Sequence, residues 1–127
     1  MNATSTRKPL VYVVDDDAGV LASLRFLLEI EGFSVRVFYS AEALLNATTI
    51  AGADCLVIDY QMPGMSGIDL ASTLREHDIN TPIVLITGCV DAMIPAKARA
   101  IGIRHVLVKP DLEARLSTHI RDAINGN

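Results

Sequence analysis

The stretch Val11-Tyr-Val-Val-Asp-Asp-Asp-Ala-Gly-Val20 decides how the rest of the chain is read. An apolar run of β-branched and aromatic residues ends abruptly in three adjacent aspartates. The run has the composition of a strand covered on both faces. The carboxylates at its end are costly neighbours. Two like charges about 4 Å apart repel by roughly 4 kcal/mol at an effective dielectric near 20. Crowded carboxylates respond by raising a pKa or by recruiting a cation. One aspartate has a simpler use, because it is a good helix N-cap and suits the positive end of the helix dipole. Capping accounts for one carboxylate, and the other two need the rest of the chain.

Working outward, the run from Leu10 to Val14 is the first of five: the others are 33–38, 54–59, 82–87 and 105–108. Four are near-continuous and rich in Val, Ile and Leu, as buried strands are. The run FSVRVF alternates more, which predicts an edge strand. Helical patterns fill the intervals. Val20, Leu21, Leu24, Leu27 and Leu28 share one helical face, and Gly32 ends that segment. Ser40 is placed to cap a helix over SAEALLNA, and Ser66 with Asp69 forms a capping pair before Leu70 and Leu74. A helix within 91–101 contains Pro95 and is predicted to start late, near that proline. Leu112, Leu116, Ile120 and Ile124 give the last helix its apolar stripe. Strand and helix alternate five times, which predicts an α/β fold. It is a doubly wound five-stranded parallel sheet with helices on both faces and right-handed crossovers.

The bulk numbers agree with one domain over 1–127, with residues 1–8 a flexible polar tail. Half of the 127 residues are hydrophobic and the net charge is −4, which argues against direct nucleic acid binding by this domain. The charge is uneven: six basic and three acidic residues lie from Lys97 onward, against five and twelve before it. Two cysteines without a framework fit a reducing compartment. The N-terminus has no apolar signal region, and the run 10–14 is too short to span a bilayer. These features predict a cytoplasmic chain with no membrane segment.

In sheets of this kind ligands sit beyond the carboxyl ends of the strands. The first strand ends in Asp15, Asp16 and Asp17, the third in Asp59, the fourth in Thr87-Gly88 and the fifth in Lys109-Pro110. Each alone has an ordinary reading as a turn former, a loop hydroxyl or a solvated lysine. Together, at one pole, they form a coherent set. Carboxylates with water suit Mg²⁺, which relieves their repulsion and bridges to a phosphoryl oxygen. A lysine ammonium and a threonine hydroxyl suit the remaining phosphoryl oxygens, and a carboxylate can itself be the nucleophile. The histidines at 77, 105 and 119 have no zinc-binding spacing in sequence.

These motifs, VVDDD at 13–17, DYQMPGMSG at 59–67, ITG at 86–88 and VKP at 108–110, resemble the receiver domain of two-component response regulators. The resemblance covers the chain from about Lys8 to Ile124. It implies a flavodoxin-like fold of receiver type with strand order 2-1-3-4-5. It implies that Asp59 is the phosphoacceptor and that Asp15, Asp16 and Asp59 hold Mg²⁺, with Mn²⁺ a substitute. Asp16 would be the direct ligand and Asp15 would act mainly through water. The backbone carbonyl of Gln61 would be a third ligand, and Thr87 and Lys109 would contact the phosphoryl group. Asp17 is left for capping. The resemblance also implies a cis bond before Pro110, and that Gln61 and Cys89 tune hydrolysis of the acyl phosphate.

The function so implied is a phosphorylation-activated signalling switch with only intrinsic autophosphorylation and autodephosphorylation activity. Its partner would be a sensor histidine kinase or phosphotransfer protein. A phosphorylation-dependent homodimer through the fourth helix, fifth strand and fifth helix is the family expectation. Receivers commonly carry an aromatic ring three residues before the lysine; here that position is Val106, which has no such lever. Two other readings compete. A haloacid-dehalogenase-like phosphohydrolase would place the phosphoryl group on Asp15, but Gly19 departs from that pattern and no cap domain is present. A degenerate receiver would act only as a protein-binding module, yet every expected site residue is here. The sequence holds no helix-turn-helix and no effector, so the chain reads as a stand-alone receiver or the receiver of a longer regulator.

Overall fold

Strands β1 (Leu10–Val14), β2 (Ser34–Phe38), β3 (Cys55–Asp59), β4 (Ile83–Thr87) and β5 (His105–Val108) form one parallel sheet in the order β2-β1-β3-β4-β5. The computed structural model describes residues 7–47, 50–88, 91–109 and 112–126, those of 112–114 by backbone alone. The helices are α1 (Ala18–Ile30), α2 (Ala41–Leu45), α3 (Gly67–Glu76), α4 (Met93–Ala100) and α5 (Leu112–Ile124). The chain winds outward from β1 to β2, then returns past β1 to β3 and on to β5. The switch point therefore lies between β1 and β3.

Alternation along the strands divides the core into two layers. Tyr12, Val14, Leu56, Ile58 and Leu85 pack with Leu44 of α2, Leu70 and Leu74 of α3, and Ile94 and Ala98 of α4. Val11, Val13, Val57, Val84 and Ile86 face the other way, onto Leu21, Leu24 and Leu28 of α1 and Leu116 and Ile120 of α5. Each fully buried Leu or Ile is worth about 1.5–3 kcal/mol. Strand β2 is the edge, as its alternation predicts. Its exposed Arg36 lies over the rings of Tyr12 and Phe38, at 5.5 and 5.4 Å from their centroids.

Local signals set the helix ends. Asp17 caps α1, its carboxylate accepting from the N–H of Gly19 at 2.8 Å and of Val20 at 3.2 Å. Gly32 follows at φ +99, a conformation that favours glycine. Ser40 Oγ accepts from Ala43 N–H at 3.0 Å, and Ser66 Oγ from Asp69 N–H at 3.1 Å. Helix α4 corrects the expected late start: it begins at Met93, two residues before Pro95. Pro95 falls in the first turn, where backbone N–H groups have no intrahelical acceptor, so its missing donor costs no bond. The Asp91 carboxylate accepts from Met93 N–H at 2.9 Å and supports that start. Of the predicted tail, residues 1–6 lie outside the described residues, while Arg7 pairs with Asp54 at 3.3 Å. No helix among the described residues is long and apolar enough to cross a membrane.

Candidate functional site

Register brings the polar strand ends together. Val14 of β1 pairs with Ile58 of β3, so Asp15 and Asp59 emerge side by side. Thr87 closes β4 opposite Val108, and Lys109 follows with its N–H donated to Thr87 O at 2.8 Å. Asp15, Asp59 and Thr87 are the buried polar residues among those described, at 1%, 5% and 1% exposure. One carboxylate oxygen from each of Asp15, Asp16 and Asp59 lies within 4.8 Å of the others. Asp16 is the exposed member of that group. Lys109 Nζ stands between the two buried carboxylates, 3.6 Å from Asp15 Oδ2 and 3.7 Å from Asp59 Oδ1.

The electrostatics follow from this crowding. Burial raises the pKa of Asp15, and the nearby Asp16 charge adds to it, against the Asp17 N–H and Lys109. Burial and then the Asp15 charge push Asp59 up to about 6, against the pull of Lys109 and the Gln61 N–H. Lys109 alone does not compensate two buried carboxylates. Asp15 Oδ1 accepts from the N–H of Asp17 at 2.9 Å. Asp15 Oδ2 is buried with no hydrogen-bond partner among the described residues. A buried oxygen left unbonded costs free energy, and a hard cation with its water would satisfy it. The donor set therefore fits Mg²⁺ on the structure's own chemistry.

The loop after Asp59 is shaped for the same place. Gly64 has φ +84. Gly67 is needed for close approach rather than for a turn. A Cβ there would meet the carbonyl oxygen of Asp59 at 2.5 Å and Leu85 Cδ1 at 2.9 Å. Met62 and Met65 pack against the core beneath the loop. Gln61 is exposed, and its backbone reaches the pocket through the N–H that bonds the Asp59 carboxylate. Asp17 turns away to cap α1, as expected. Val106 is half-buried against the core. Cys89 and the Lys109-Pro110 bond lie outside the described residues, since Pro110 is not among them.

The response regulator receiver domain profile matches residues 11–121. The chain belongs to that family. It is therefore a signalling-switch domain of two-component systems, not a dedicated enzyme; the family binds Mg²⁺ at an acidic pocket, and the cluster of Asp15, Asp16 and Asp59 could hold such an ion. The transcriptional regulatory protein FixJ of Bradyrhizobium diazoefficiens is 38% identical over 94% of this chain and 58% of its own. The response regulator protein TodT of Pseudomonas putida is 37% identical over 94% of this chain and 53% of its own. The chain thus spans about half the length of the curated relatives it matches. The crystal structure of FixJ-N superposes with a TM-score of 0.85 at 34% identity, covering 95% of this chain and 97% of that one. The response regulator StyR gives a TM-score of 0.85 at 38% identity, over 95% of this chain and 61% of that one.

One pairing escaped the sequence. His105 on β5 and His119 on α5 are 14 residues apart, yet their Nδ1 atoms are 2.8 Å apart. No local spacing signals this; it follows from α5 folding back onto the strand that precedes it.

Proposed function

We propose that the chain is a phosphorylation-driven switch in which Asp59 accepts a phosphoryl group from a sensor histidine kinase or a phosphotransfer protein. The observation that carries this reading is Lys109 Nζ held 3.6 and 3.7 Å from two buried, crowded carboxylates. Such a group is poised to exchange a carboxylate for a phosphoryl oxygen. Asp59, with a pKa of about 6, is mostly ionised at neutral pH and available as a nucleophile. Its oxygen attacks phosphorus, the P–N bond to the donor imidazole breaks, and the bond's electron pair leaves with the imidazole. Mg²⁺ or Mn²⁺, which Asp16 and Asp59 would hold directly with Asp15 through water and the Gln61 carbonyl, would supply positive charge against the carboxylates and phosphoryl oxygens. Lys109 and the Thr87 hydroxyl then contact the transferred group. In hydrolysis, the Gln61 and Cys89 side chains orient or screen water.

The output face in this reading is α4, β5 and α5, where phosphorylation drives a homodimer. Exposed Met93 and Val108, at 58% and 38%, supply apolar area there, and Lys97, Arg99 and Arg104 supply charge. Because Val106 lacks a ring, coupling from Thr87 to that face is either weaker or carried by backbone motion around Gly88 to Pro95.

The test is intact mass after incubation with acetyl phosphate, with Mg²⁺ or with EDTA, followed by peptide mapping. One phosphoryl group per chain is expected on Asp59, only with the metal, and none on Asp59→Asn. Full labelling of Asp59→Asn, or a label on Asp15, overturns the assignment.

A further inference from the structure

We propose that His105 and His119 form a second metal site, for a borderline divalent ion of the zinc class, separate from the acidic pocket. The two rings come from different elements and meet edge to face, with centroids 5.1 Å apart. Their Nδ1 atoms converge to 2.8 Å, a separation at which one proton lies between two nitrogens. Moving that proton to Nε2 of its own ring leaves two neutral imidazoles whose Nδ1 lone pairs face each other across the contact. Zinc–nitrogen bonds are about 2.0–2.1 Å long, so two at a tetrahedral angle span about 3.3 Å. Opening the present 2.8 Å contact by about 0.5 Å accommodates the ion, which small ring rotations supply.

The surroundings favour a neutral His119 ring, as a metal needs. Burial, the neighbouring His105 and Arg115 all hold His119 below its usual pKa. Asp122 is the carboxylate whose charge acts on His119 in the opposite sense, and it also favours a cation there. Arg75 and Arg104 line a recess of about 280 Å³ with His105 and weaken the attraction. Arg75 is engaged with the carbonyl oxygens of Ile79, Thr81 and Ile101, and Arg104 with that of Gly126. Water completes the coordination. Imidazole nitrogens select zinc-class ions over Mg²⁺, which prefers oxygen and dehydrates reluctantly, so the two sites divide the metals by chemistry. An ion here would tie β5 to α5 across the proposed output face. The site itself does not depend on Asp59 chemistry.

The experiment is a ZnCl₂ titration of the whole chain in excess MgCl₂, which keeps the aspartates supplied with their own ion. Imidazole ¹⁵N resonances of the wild type should move for His105 and His119 together. His77 is the internal control, with Nδ1 at 2.8 Å from Thr73 O. By calorimetry, His119→Gln and His105→Gln should each bind zinc at least about ten-fold more weakly. The proposal is overturned if neither resonance moves, if His77 responds alone, or if Asp16→Asn abolishes zinc binding while the histidine variants keep it.

Discussion

Val14 and Asp15 are consecutive and equally hidden, at 0% and 1% exposure, yet they act on the fold in opposite directions. Val14 completes the apolar layer under α2 and α3. Asp15 begins a pocket where burial works against the charged side chain. The same step recurs from Ile58 to Asp59. Crossing one residue along the sheet passes from groups that stabilise the domain to groups held at a cost for what they bind. A receiver therefore carries its destabilisation in a thin layer at one pole, and the core behind it must be correspondingly tight.

Substitutions on the two sides of that step should separate cleanly. The largest effect belongs to the core. Leu85→Ala should cost about 2–5 kcal/mol in urea denaturation. The protein that remains folded should still take up phosphoryl groups. Next is Gly67→Ala, whose new methyl meets backbone; it should cost about 1–3 kcal/mol and slow phosphorylation. The pocket should show the reverse sign. Asp59 has a folded pKa of about 6, above its usual 3.8, so the native state binds more protons than the unfolded chain between those values. Metal-free stability should therefore fall as pH rises through that window and stay lower above it. Asp59→Asn should reduce this slope, leaving the part that buried Asp15 contributes, and stabilise the metal-free protein at pH 7 by about 1–3 kcal/mol. Adding Mg²⁺ should stabilise the wild type and narrow the gap. A variant that is less stable than wild type at pH 7 without metal would break the comparison. A smaller effect is Asp17→Ala, which should cost about 1 kcal/mol through the lost cap and leave Mg²⁺ affinity unchanged. Asp16→Ala should instead abolish Mg²⁺ binding with little loss of stability, read by the same titration.

What was legible follows the length scale of each signal. The strands appear within one residue of their sequence reading because a buried run of Val, Ile and Leu states its own limits. The pocket was legible because sheet topology gathers strand ends by rule, so Asp15, Asp59, Thr87 and Lys109 needed only their positions in the chain. The start of α4 was not, since Pro95 marks a first turn without saying which residue of the turn it is. Gly67 is indistinguishable from a turn glycine until the Asp59 carbonyl is seen against it. The His105–His119 contact depends on how α5 lies on β5, which no residue pattern states.

The contact at Gly67 also gives the pocket a direction. On one side, the α3 N-terminus is wedged against the end of β3, with its N–H on Tyr60 O at 2.8 Å and no room for a methyl. On the other side, Gly88 follows Thr87 with nothing within 4 Å of where its Cβ would stand. The pocket is thus a vice with one fixed jaw and one free jaw. In the proposed switch, a change at Asp59 would meet close packing toward α3 and open space beside Gly88, so the loop itself would favour the α4 side.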